Sequence, residues 1–123
     1  MMKGRLLLVE DDPALNDLVS QMLQELGSIV IRASSAAIAL DAAAKTRADL
    51  VLTDMVMPGD MDGLDLAREL RKLYGDVPVV LMTGYSTAAG LATDEGFTVL
   101  RKPFDFDTLT AQLSEALEGV KRG

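Results

Sequence analysis

The stretch Leu6-Leu7-Leu8-Val9-Glu10-Asp11-Asp12-Pro13 decides how this chain folds. Its apolar residues form a short β-type run, with strand one predicted over about Arg5 to Val9. Two acids end the run. Asp12 then reads as a helix N-cap and Pro13 as the first helical residue. Leu15, Leu18, Val19, Met22, Leu23 and Leu26 follow at helical period as an apolar stripe, and Gly27 stops the helix.

The same alternation recurs along the chain. Strands are predicted at Ser28 to Arg32, Asp49 to Thr53, Val77 to Met82 and about Phe97 to Leu100. Helix two starts at a Ser34 or Ser35 cap and ends near Lys45. A loop from Met57 to Gly63 leads to helix three, Leu64 to Tyr74, with Leu66, Leu70 and Leu73 inward. Helix five starts at Asp105 or Asp107 and runs to about Leu117, with Phe106, Leu109, Leu113 and Leu117 facing the sheet. The segment Gly84 to Gly96 carries three glycines and a poor apolar stripe, so the fourth helix is expected to be short, irregular or mobile. Strands that alternate with helices imply an α/β fold built of βα units around a parallel sheet.

A length of 123 residues implies one domain, 1–123, with a core of about 5–118 and a tail or linker start at 119–123. Apolar content of 49% argues against disorder. The net charge is −7 and no basic run occurs, which argues against nucleic-acid binding by this chain. There is no Cys and no His. That excludes a thiol nucleophile, a disulfide framework, a zinc site of the usual ligands and phosphohistidine on this chain. Oxygen-only ligands leave Mg²⁺, Mn²⁺ or Ca²⁺ as the metals to consider. No stretch is long enough to span a membrane and no signal peptide is visible, so cytoplasm is the default expectation.

The chemistry-bearing residues fall where the strands end. Glu10 and Asp11 follow the first run, Asp54 follows Leu50-Val51-Leu52, Thr83 follows Val79-Val80-Leu81-Met82, and Lys102 follows Thr98-Val99-Leu100. Ligands of open α/β sheets bind in the crevice outside the carboxyl ends of the strands. Three clustered carboxylates repel one another, and an oxygen-seeking divalent cation resolves the conflict. Glu10, Asp11 and Asp54 suit that role, whereas Asp12 reads as a helix start facing the dipole. A carboxylate also attacks phosphoryl groups, which makes Asp54 the candidate nucleophile. Lys102 supplies an ammonium to neutralise charge on the equatorial oxygens, and Pro103 sets a turn that holds it inward. Two unit charges ~4 Å apart interact by about 4 kcal/mol at an effective dielectric of 20. The Thr83 hydroxyl is the switch candidate, with Gly84 letting its loop move.

Together, Glu10-Asp11, Asp54-Met55-Val56-Met57-Pro58-Gly59, Met82-Thr83-Gly84 and Lys102-Pro103-Phe104 resemble the receiver domain of bacterial two-component response regulators, over essentially the whole chain. The resemblance implies a flavodoxin-like (βα)₅ fold, a doubly wound five-stranded parallel sheet of order 2-1-3-4-5. It implies Mg²⁺-dependent phosphoryl transfer from a partner phosphohistidine to Asp54. The partner is then a sensor histidine kinase or a histidine phosphotransfer protein, with other domains of a hybrid kinase as further candidates. Position by position, Asp11 corresponds to the direct metal ligand, Glu10 to one acting through water, and the Val56 main-chain carbonyl to a further ligand. Thr83 matches the hydroxyl that follows the phosphoryl group, and Lys102 the family's lysine.

Three departures stand out. The loop Pro58-Gly59-Asp60-Met61-Asp62-Gly63 is one residue longer than the common form and resembles receivers of hybrid sensor kinases. The strand-five aromatic that the family uses as a switch is Val99 here, with Tyr85 and Phe97 as possible substitutes. The segment from Thr83 to Lys102 is short and Gly-rich, so the family's dimer is not carried over and the oligomeric state stays open. The leading expectation is a phosphoacceptor module with no DNA-binding output of its own, either a single-domain regulator or a hybrid-kinase receiver. Two alternatives stand beside it. A haloacid dehalogenase-type phosphotransferase needs a second Asp two places after the nucleophile, where this chain has Val56. A degenerate receiver that binds partners without phosphorylation is opposed by the retained acids, Thr83 and Lys102.

Overall fold

The computed structural model describes residues 4–57, 59–84 and 87–122. Strands β1 (Gly4–Val9), β2 (Ser28–Ala33), β3 (Leu50–Asp54), β4 (Val79–Thr83) and β5 (Thr98–Arg101) alternate with helices α1 (Pro13–Glu25), α2 (Ala36–Lys45), α3 (Gly63–Tyr74), α4 (Thr87–Asp94) and α5 (Phe106–Arg122). All strands are parallel in the order β2-β1-β3-β4-β5, as the resemblance implied. The chain leaves β1 to one side for β2 and to the other for β3. The crevice at this reversal is where an open α/β sheet holds its ligand.

Helices cover both faces, so the sheet separates two cores. Leu7, Val9, Val51 and Leu81 pack against α2, α3 and α4. Leu8, Leu52, Met82 and Leu100 pack against α1 and α5. Burial on both faces is what permits near-continuous apolar strands such as Leu6 to Val9.

The helix starts follow local chemistry. The Asp12 carboxylate accepts from the N–H groups of Ala14 and Leu15, and Pro13 opens α1. Ser35, rather than Ser34, caps α2 by accepting from Ile38. Asp62 and Asp65 form a reciprocal capping box that starts α3 at Gly63, one residue before the expected position. Gly27, at φ 94°, takes the left-handed conformation that ends α1. Helix α4 is short, at 8 residues, as expected.

Two inward assignments, Leu73 and Phe106, and two members of the α1 stripe need correction. Leu15, Leu18, Leu73 and Phe106 are exposed. Leu15 and Phe106 sit in the first turns of α1 and α5. Leu18 lies about 100° around the helix from buried Val19, on the flank. Leu73 lies in the last turn of α3, beside a cavity of about 680 Å³ that it lines with Ala43, Ala44, Ala48 and Leu70. The small side chains at the end of α2 leave that space open. Asp54 and Thr83 are the last residues of their strands rather than the first of their loops. Helix α5 continues to Arg122, so the backbone of 119–122 is helical where a frayed tail was expected. The expectations for Pro58, Tyr85 and Gly123 lie outside the described residues.

Candidate functional site

Strand parity assembles the site. Successive side chains on a strand point to opposite faces. On β1, the row of Leu6 and Leu8 continues into Glu10; on β3, Leu50 and Leu52 lead to Asp54; on β5, Leu100 leads to Lys102. All three polar residues therefore emerge on the α1–α5 side at the carboxyl edge.

Their contacts are specific. Glu10 is only 2% exposed, and its Oε1 accepts from Lys102 Nζ at 3.0 Å. Its Oε2 accepts from the Asp12 N–H at 3.3 Å. The same Lys102 Nζ lies 3.2 Å from Asp54 Oδ2. One ammonium thus bridges two carboxylates on different strands. Burial pulls the Lys102 pKa down, but its hydrogen bond to Glu10 and the charges of Asp54 and Glu10 together outweigh it. The net result is a pKa raised above the ordinary lysine value.

Asp11 completes the cluster. Carboxylate oxygens of Glu10, Asp11 and Asp54 lie within 4.8 Å of one another. Asp11 is exposed, and among the described residues no hydrogen bond or ion pair holds its side chain. Three carboxylates against one ammonium leave an excess of negative charge, which a divalent cation offsets.

Thr83 reaches the same edge from the other parity. It continues the row of Val79 and Leu81, and it is buried. Its carbonyl accepts from the Lys102 N–H at 2.9 Å, and the Met55 N–H donates to the Met82 carbonyl at 2.8 Å. These bonds tie together the strand ends that carry Asp54, Thr83 and Lys102. Val56, two residues past Asp54, has an exposed side chain.

Val99, paired with Leu81, is half-buried on the same face as Thr83. Phe97 does not substitute for the missing aromatic. Thr83 pairs with Arg101, four residues further on, so Phe97 sits roughly 13 Å down the strand direction. There it is buried, with the Arg71 guanidinium 3.8 Å from its ring centroid.

Two residues at the site were not singled out from sequence. Gly63 was read only as a loop signal. A Cβ there would meet the Asp54 carbonyl oxygen at 1.9 Å, and the Gly63 N–H donates to the Met55 carbonyl at 2.8 Å. Only glycine allows α3 to start this close to the Asp54 backbone. Asn16 is buried in α1 and hydrogen-bonds the Glu10 carbonyl at 3.0 Å. A polar residue at i−3 from Val19 and i−7 from Leu23, on the core side of the helix, was the available signal.

The family model described as "Response regulator receiver domain" matches residues 6–114. The chain belongs to that family. Two curated relatives are each 38% identical: the transcriptional regulatory protein GlrR of Escherichia coli K12 over 118 residues, and the sensor kinase CckA of Brucella abortus over 117. The alignments cover 94% and 91% of this receiver, which spans only 26% of the first relative's length and 12% of the second's. The crystal structure of a response regulator receiver domain protein from Clostridium thermocellum superposes with a TM-score of 0.87 at 28% identity, covering 96% of this chain and 97% of that one. The protein is therefore a phosphoacceptor signalling module of the two-component type, a regulatory domain of bacterial signalling. Receiver domains bind Mg²⁺ at an acidic pocket, and this receiver carries an acidic cluster at the corresponding edge of its sheet. Receiver domains are phosphorylated by histidine kinases. Among the described residues no helix is long and apolar enough to cross a membrane.

Proposed function

We propose that Asp54 is the phosphoacceptor of this receiver. Its carboxylate attacks the phosphorus of a partner phosphohistidine, the P–N bond breaks, and the electron pair stays on the imidazole, which takes up a proton. Glu10, Asp11 and Asp54, with the Val56 main-chain carbonyl, would hold Mg²⁺ or Mn²⁺, and the oxygen-only donor set fits such an ion. When bound, it would supply positive charge to offset the phosphoryl oxygens. Lys102 holds Asp54 in place and adds its positive charge to the transferring group. Thr83 donates its hydroxyl to the phosphorylated product.

The observation that carries this reading is the Lys102 ammonium shared between Glu10 and Asp54, with the Asp11 carboxylate beside them. The donor is a sensor histidine kinase or a histidine phosphotransfer protein, in the cytoplasm, and other domains of a hybrid kinase are further candidates. Leu15 and Leu18 on α1, Val56 after β3 and Phe106 at the start of α5 are exposed apolar residues on elements that surround the crevice. Exposed apolar side chains on these elements suit a protein donor. Residues 1–123 act as one receiver domain, a reading supported by the single sheet that all five strands share.

Intact mass after incubation with acetyl phosphate tests the assignment. One phosphoryl group is expected with Mg²⁺, none in EDTA, and none in Asp54→Asn. Label retained on Asp54→Asn would remove Asp54 from the role.

A further inference from the structure

Asn16 is a polar side chain inside an apolar helix face, and every polar atom of its amide is used. It is 5% exposed. Its Nδ2 donates to the Glu10 carbonyl at 3.0 Å and to the Ala33 carbonyl at 3.3 Å. Its Oδ1 accepts from Nε of Arg32. The orientation is forced: the two carbonyls only accept and the guanidinium only donates. Arg32 is held in turn by Asp17. The Glu10 N–H also donates to the Ala33 carbonyl, at 3.0 Å.

This network lies just past the last ladder pair of β1 and β2, Val9 with Ala33. The last bond between β1 and β2 reaches the Glu10 N–H, and the Glu10 carbonyl and Asp11 stand just past it. The Glu10 carboxylate has its own restraints in Lys102 and the Asp12 N–H. The Asp11 carboxylate has none among the described residues, so its placement depends on how its backbone is held. The Glu10 carbonyl and the Asp11 N–H belong to one rigid peptide plane. Holding that carbonyl sets the plane and the Asp11 N–Cα axis, and the Asp12 N–H bond to Glu10 Oε2 restrains the following plane, so the two together set the Cα–Cβ direction of Asp11.

We propose that Asn16, oriented by Arg32, is a positioning residue for the metal site, aiming the Asp11 carboxylate into the crevice. The inference rests on the reading of Glu10, Asp11 and Asp54 as metal ligands and deepens it. Outer partners that orient metal ligands typically contribute 10–100-fold to affinity. Asn16→Ala is therefore expected to weaken Mg²⁺ binding by roughly tenfold or more. Arg32→Ala, at an exposed position that spares the core, is expected to weaken it less, in the same direction. Phosphorylation by acetyl phosphate in Asn16→Ala recovers at saturating Mg²⁺, since the nucleophile and Lys102 are untouched.

The test is calorimetric titration of Mg²⁺ into the full chain, its two variants and Asp11→Asn, with metal-free thermal unfolding alongside. Weaker binding in both variants, with phosphorylation restored at high Mg²⁺, supports the proposal. A lower metal-free Tm with wild-type Mg²⁺ affinity would assign Asn16 a purely structural role and overturn it. If Asn16→Ala does not fold, the Arg32→Ala titration decides: unchanged affinity there overturns the proposal. An unaltered chain that binds no Mg²⁺ would sink the metal-site reading together with this one, an outcome distinct from equal binding by chain and variants.

Discussion

Lys102 is the one cation that touches both Glu10 and Asp54 among the described residues. Removing it leaves the Glu10 carboxylate buried without its ion partner. Lys102→Met is expected to cost about 3 kcal/mol, the low end for a broken buried pair, because the Lys102 side chain keeps 25% of its surface. The measurement is urea unfolding at neutral pH. The pH dependence has a definite sign. The folded-state pKa is raised, so the stabilisation is complete below the unfolded lysine value of about 10.4 and is lost as pH rises through the folded value. The stability gap between wild type and Lys102→Met should therefore close above about pH 10.4; a gap that persists at higher pH would mean the ion pairs are not its source. Gly63 gives a steric counterpart. Its Cβ would overlap the Asp54 carbonyl at 1.9 Å, so Gly63→Ala should cost about 3 kcal/mol and slow phosphorylation by displacing Asp54. Wild-type rates from acetyl phosphate in Gly63→Ala would contradict this. The charged residues of the site were legible because each follows an apolar run. Gly63 was not, since a close approach between segments leaves no local mark, and Asn16 showed only as a polar residue on an apolar helix face.

Helix α3 illustrates how element boundaries are decided. Its capping box ties Asp62 to Asp65 across Gly63 and Leu64, and Asp62→Ala should destabilise the domain by about 1 kcal/mol. A chevron or equilibrium urea titration reads that value directly. Farther along α3, Arg68 makes a two-pronged contact to Glu95 at 2.8 and 2.6 Å, and Arg71 donates to the Glu95 carbonyl at 2.6 Å. These bonds hold the chain just after α4, where composition alone argued for mobility. The Arg68 hydrogen bond keeps the Glu95 carboxyl below its usual pKa. The contact is thus complete above about pH 4.3 and lost as acid carries Glu95 through its lowered value. Glu95→Gln should speed amide exchange at residues 92–97 at neutral pH, measured by mass spectrometry. Exchange unchanged from wild type would show that the clamp does not restrain that segment. Glycine content predicted a short α4 correctly, but a contact between residues 27 apart was invisible to it.

For the molecule as a whole, the acidic cluster links metal to stability. An ion that binds only the folded state at 100 times its Kd adds about 2.7 kcal/mol. Mg²⁺ should raise the unfolding midpoint of the wild type and leave Asp11→Asn nearly unmoved; an equal rise in both would place the ion elsewhere. The two cores explain why so much of this fold was legible. Strands buried on both faces read as unbroken apolar runs, and covering helices read as 3.6-residue stripes, so element type and order followed from period alone. Leu15 and Phe106, in first turns, escaped that reading because periodicity reports direction around a helix, not how far the core extends along it. The sequence by itself determined the alternation of strands and helices, the acids and lysine at strand ends, and the absence of cysteine and histidine chemistry. Only the tertiary structure decided that Lys102 is shared between Glu10 and Asp54, that Gly63 must be bare, and that Asn16 holds the Glu10 carbonyl. The physical reason is separation: local propensity acts over a few residues, whereas Glu10 and Lys102 meet across 92 positions through the packing of the sheet.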